Sequence, residues 1–140
     1  IAQGERDRSS RQAVAARYDV PANVLDRLEE IGVLTPDARG YDADDVQIIA
    51  AISRFRAGGF DEQIGFTVYD TLRYREALQP LVEEEVGTLL SRLAARVDPD
   101  RAAELVAAGA APLRELIGAL HSKLLRAELR RQRDARRASA

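Results

Sequence analysis

Apolar residues recur at three- and four-residue steps over most of this chain, a spacing that puts them on one face of a helix and predicts a helical protein. The pattern opens at Ser10, a helix-capping residue, and carries Ala13 and Val14 before Tyr18-Asp19-Val20-Pro21 stops it. Pro21 suits the first turn of a second helix, which turns Val24, Leu25, Leu28 and Ile31 inward and ends at Gly32 in a left-handed cap. Val33 to Tyr41 reads as a small hairpin, with Gly40 supplying the positive φ of its turn. Asp42 or Asp44 then caps a third helix with Val46, Ile48, Ile49, Ile52 and Phe55, stopped by Gly58-Gly59.

Beyond this head the helices lengthen. A short helix capped by Asp61 offers Ile64, Phe66 and Val68 to the core. From Asp70 toward Val97, Leu72, Leu78, Leu81, Val82, Val86, Leu89, Leu90 and Leu93 keep the helical step, with Pro80 marking a kink or a new start. Asp98-Pro99-Asp100 starts a short helix expected to close at Gly109, and Pro112 to Arg137 forms the last, with Leu113, Leu116, Ile117, Leu120, Leu124 and Ala127 along one side. Such stripes exceed what a head of about 60 residues can cover, so the helices need each other and a second chain. The seam expected for that homodimer is Leu89, Leu93, Leu113, Ile117, Leu120 and Leu124.

Composition narrows the choice. At 140 residues and 46% apolar content the chain is long enough to fold as one domain or two small lobes. It has no Cys, which fits a reducing compartment and an expected cytoplasmic location, and no apolar run nears the roughly 20 residues of a membrane span. It opens on Ile1 and holds no Met, so upstream residues are expected. Net charge is −2, yet His121–Ala140 carries seven basic against two acidic residues and the remainder of the chain is net −7. A body acidic everywhere but at one end is not built like a general DNA binder.

The words LEEIGVLTP, RGYDADDV and RFRAGGFDEQI, in that order, resemble the winged helix-turn-helix domain of the MerR family of bacterial transcription regulators. Glu29, Gly32, Val33, Leu34, Pro36, Tyr41, Asp45, Arg56, Gly59, Phe60 and Ile64 fall into register over about residues 10 to 66. The resemblance implies an all-α chain with a linker at 1–9, a winged-helix lobe at 10–69, and a dimerising, regulatory helical region at 70–140 with an Arg-rich end. It also implies contact with double-stranded DNA through Arg11, Arg17, Arg27 and Arg39 from the helix-turn-helix and wing, with Tyr41 as the wing tyrosine. The chain departs from the family in the recognition helix, where Asp26, Arg27 and Leu28 stand in place of an Arg and two Tyr. An Asp facing phosphate is repelled. The lobe therefore reads as a diverged copy, and the same arginines equally well pair with Asp26, Glu29, Glu30 and Asp37 on a solvated surface.

Phe66, Tyr69, Tyr74 and His121 are the candidates for lining a small-molecule effector pocket, against the plainer reading that aromatics this scarce fill a core. Arg126, Arg130, Arg133 and Arg137, at i, i+4, i+7 and i+11, share one face of the last helix, as a surface for nucleic acid or an acidic partner or as a solvated helix end. Glu83-Glu84-Glu85 and a single His are thin material for a metal site, so no metal and no cofactor is expected. No nucleophile and base pair or phosphate loop stands out, so the chain is not expected to be an enzyme. The function expected is that of a MerR-like regulator; the alternative is a regulatory module controlling an attached enzyme domain, as in control regions of adenylyl cyclases. The Arg-rich ending, read as a terminus, weighs against that alternative.

Overall fold

The computed structural model describes residues 8–139. Those residues form α1 (Arg11–Tyr18), α2 (Ala22–Glu30), α3 (Ala43–Ala57), a 3-10 turn (Glu62–Ile64), α4 (Tyr69–Ala94) and α5 (Pro99–Ser139). The protein is all-α: among the described residues the only β pairing is two isolated bridges. Its contacts divide it into two compact units that meet in sequence within α4, one closing at Leu81 and the other opening at Val82.

In the first unit, each helix is delimited by chemistry visible in the sequence. The Ser10 side chain accepts from Ala13 N at the head of α1, and Asp19 ends that helix in the left-handed conformation at φ 52°. Gly32 at φ 77° closes α2, with Val33 N donating back to Leu28 O. Asp42, rather than Asp44, caps α3 by accepting from Asp45 N at 2.8 Å. Thr67 and Asp70 form a reciprocal capping box before α4: Tyr69 N donates to Thr67 Oγ1 and Thr67 N donates to Asp70 Oδ2. Val14, Val20, Val24, Leu25, Leu28, Leu34, Tyr41 and Ile49 make the buried core, with Val46, Ile52 and Val68 packed on its margin.

Three local expectations need correction. Val33–Tyr41 is not a two-stranded hairpin. Asp37 and Gly40 bond each other across a tight turn, and Tyr41 pairs with Ser9, by Ser9 N to Tyr41 O at 2.9 Å and Tyr41 N to Ser9 O at 2.8 Å. A Cβ on Gly40 would stand 2.1 Å from Ser9 O, so this position needs glycine for space as well as for its φ of +107°. Of the expected linker 1–9, residues 1–7 lie outside the described residues, whereas Arg8 and Ser9 are held against the turn. Phe55 and Ile64, expected in the core, are instead exposed. Phe55 stacks on Phe66 at 6.3 Å and meets Phe60 edge-on at 5.5 Å, so the aromatics gather in a satellite cluster beside the aliphatic core.

The second unit is simpler. Asp98 caps α5 by accepting from Arg101 N at 2.9 Å, as the Asp-Pro-Asp signal predicts. The expected stop at Gly109 and restart at Pro112 do not occur: both lie inside one 41-residue helix. Glycine costs a helix about 1 kcal/mol and proline about 3. The surrounding Ala107, Ala108, Ala110 and Ala111 are the best helix formers, and the apolar register Ala102, Val106, Gly109, Leu113 passes through unbroken. Pro80 likewise sits within an uninterrupted α4. Burial in this unit concentrates near the 95–98 turn: Ala102 is buried and Leu93, Val97, Leu105 and Val106 are half-buried. Leu113 and Ile117 are the last half-buried positions, and from Gly118 to Ser139 every residue is exposed.

Candidate nucleic-acid interface

The surface that carries the residues expected to meet DNA is formed by α2, α1 and the 37–40 turn. Each exposes charge because each turns its apolar residues into the same small core. The cations expected to meet phosphate are already engaged. Arg11 forms an ion pair with Asp26, lies 3.3 Å from Glu29 and donates to Ala22 O at 3.2 Å. Its guanidinium is held above the ordinary arginine value by the hydrogen bond to Asp26, with the Glu29 charge adding to it and partial burial opposing.

Arg27 sits 3.5 Å from Glu30 and donates to Tyr69 Oη at 3.2 Å. Arg39 closes on Asp37 at 3.0 Å, and its own backbone N–H donates to the same carboxylate. Those two bonds, the backbone one first, draw the Asp37 carboxyl below its usual range. Arg17 lies over the Tyr18 ring at 5.2 Å and is the one nominated cation without a carboxylate partner among the described residues. Apart from Arg17, the nominated cations are thus matched, and phosphate would have to displace carboxylates to bind Arg11, Arg27 or Arg39.

Tyr41, expected as the wing tyrosine, is buried. It is 0% exposed and is the largest fully buried side chain, with its hydroxyl donating to Glu29 Oε2 at 2.8 Å. Burial, and then the bond to Glu29, push the phenol well above its ordinary value, so it remains a neutral donor that ties the turn to α2. It packs the turn onto the lobe. Between Ser10, Arg11 and Glu29 on one side and Pro36–Gly40 on the other lies an open groove of about 240 Å³.

The residues nominated for an effector pocket are dispersed in role. Phe66 belongs to the aromatic cluster, Tyr69 accepts from Arg27, Tyr74 is exposed on α4, and His121 is exposed on α5. Among the seam residues, Leu89, Leu120 and Leu124 are exposed and Leu93, Leu113 and Ile117 are half-buried. Sequence reasoning missed two features of the lobe. Arg75 of α4 donates to Gly32 O at 3.0 Å, satisfying a carbonyl left open at the end of α2. Arg8 reaches Gly40 O at 3.5 Å and Asp37 at 3.6 Å, with its Nε buried and unpaired. Arg8 was hidden because no apolar period marks a segment that packs through its backbone and one guanidinium.

The sequence model of the family described as Rv1828-like, C-terminal domain, matches residues 7–133, nearly the whole of what has just been described. The chain belongs to that family. The match covers both units, from the Arg8–Ser9 segment through most of α5. No curated protein and no solved structure matches the chain. Among the described residues no helix is long and apolar enough to cross a membrane, and no cluster of three or more His, Cys, Asp or Glu is placed to hold a metal ion.

Proposed function

We propose that this chain is the regulatory and dimerising portion of a MerR-like transcription regulator whose DNA sequence is read by a separate domain. The observation that carries the reading is the contrast along α5. Gly118–Ser139 is exposed at every position, yet Leu120 and Leu124 continue the heptad step of Leu113 and Ile117. A helix of this length draws most of its stability from packing an apolar face, and that face fits a second copy of itself. Two further facts favour regulation over reading by the lobe: three of its four nominated cations, Arg11, Arg27 and Arg39, are matched by carboxylates, and the matched family is described as a C-terminal domain.

In this reading a small-molecule effector or partner shifts how the paired helical arms pack, which resets the spacing of the DNA-reading units. Sedimentation of the chain is expected to give a dimer, and Leu120→Glu a monomer. In the complete protein the same substitution is expected to lower promoter occupancy. A monomer for the unaltered chain, or promoter occupancy indifferent to Leu120→Glu, would sink the proposal.

A further inference from the structure

We infer that the C-terminal half of α5 carries a phosphate-binding stripe, formed by Arg126, Arg130, Arg133 and Arg137, that lies along the backbone of a nucleic-acid duplex. The four residues fall within an arc of about 60° at 100° per residue and span about 16 Å of helix. All four are exposed, and among the described residues none has an ion pair or hydrogen-bond partner. That sets them apart from their neighbour Arg131, which is bonded to Glu128 and, ahead of Gln132, draws that carboxyl down to about 2. Asp134, four residues after Arg130 and three before Arg137, forms no ion pair with the stripe among the described residues.

The usual reason for cations near a helix end is the macrodipole, and it acts only within the last turn. Arg126, Arg130 and Arg133 lie before the last turn of a helix that ends at Ser139. The stripe is also centred about 140° around the helix from Leu113, Ile117, Leu120 and Leu124 at 100° per residue, so a second copy on those leucines leaves it open. Successive steps of about 6, 4.5 and 6 Å along the axis suit a row of phosphates, and a guanidinium binds phosphate through two parallel N–H bonds. The partner is a duplex backbone, whose regularly spaced phosphates match those steps. The contact positions and does not specify. It goes beyond the regulatory reading and does not depend on it, because a single chain presents the same stripe.

The test is binding of the full chain to a short mixed-sequence DNA duplex across a salt series, followed by fluorescence anisotropy. Four phosphate contacts give a slope of log K against log salt of about −3.6, so affinity is expected to fall about 150-fold between 50 and 200 mM salt, equally for a scrambled duplex. Arg126→Gln, Arg130→Gln, Arg133→Gln and Arg137→Gln together are expected to abolish binding while circular dichroism shows the helix retained. The Leu120→Glu chain keeps the stripe and the per-chain slope, so loss of the dimer and loss of nucleic-acid binding are read separately. No binding at 50 mM salt would overturn the assignment. So would loss of binding on Arg27→Ala with Arg39→Ala instead of on the stripe variant, or preferential binding to vesicles of phosphatidylcholine and phosphatidylserine.

Discussion

The two units of this chain treat their leucines and arginines in opposite ways. In the first, Leu25, Leu28 and Leu34 are sealed from solvent, and Arg11, Arg27, Arg39 and Arg56 each hold a carboxylate. In the second, Leu120, Leu124, Leu125 and Leu129 face solvent and a row of arginines has no counter-charge among the described residues. The lobe seals its aliphatic core and matches most of its nominated arginines, and its exposed apolar surface is the Phe55, Phe60 and Ile64 neighbourhood and the start of α4. The arm leaves leucines and arginines open together over more than five turns, which is the surface on which the proposed pairing rests.

The largest effect should come from spoiling each unit where its leucines count. Leu120→Glu places a charge in the proposed seam and should raise the dimer dissociation constant about a thousandfold, or about 4 kcal/mol, as read by sedimentation. In the lobe, Leu28→Ala removes a fully buried side chain and should cost about 2 to 5 kcal/mol in denaturant unfolding, whereas Leu125→Ala, off the seam, should stay within about 0.5 kcal/mol. If the two alanine variants cost the same, the lobe core and the open arm are not different environments.

Gly40→Ala comes next, at about 2 to 4 kcal/mol, because it combines a strained positive φ with a collision against Ser9 O. Hydrogen exchange should show the loss concentrated at the Ser9 and Tyr41 amides. Surface ion pairs come last: Arg39→Ala should change stability by about 1 kcal/mol or less.

A pH measurement sharpens the same comparison. Asp45 is buried in the lobe, where desolvation first and the nearby Asp42 charge second push its carboxyl above the usual range despite the N–H of Thr35. A carboxyl raised in the folded state binds its proton more tightly there than in the unfolded chain. Ionised Asp45 therefore costs stability at neutral pH, and the cost is relieved as pH falls through the raised value toward the unfolded one of about 3.9. Asp45→Asn should thus be the more stable chain at neutral pH, with the difference shrinking on acidification in thermal melts. Asp37 and Glu62, lowered by their arginines, work the other way: their contribution is present above the unfolded value and lost as acid protonates them.

Helix starts and the lobe's turns were readable because they depend on near neighbours. Ser10, Asp42, Asp61 and Asp98 cap the elements they were expected to cap, since a cap is a hydrogen bond reaching two or three residues along the chain. Gly109 and Pro112 misled for the same reason. They are local breakers, and the alanines and unbroken apolar register around them outweigh a local cost of a few kcal/mol. The aromatic cluster and the burial of Tyr41 were not readable, because a tyrosine at a turn can face either way until the surrounding surfaces are known.

By itself, then, the sequence determined that the chain is helical, where most helices begin, and which faces are apolar, all through contacts within a few residues. Only the tertiary structure decided which of those faces is covered. Ser9 meets Tyr41 across 32 residues and Arg75 meets Gly32 across 43, and pairings at such distances along the chain leave no local trace in the sequence. The arginines divide the same way: Arg27 with Glu30 and Arg39 with Asp37 are pairs of near neighbours that the sequence could offer, whereas Arg11 meets Asp26 across 15 residues and only the fold brings those two together.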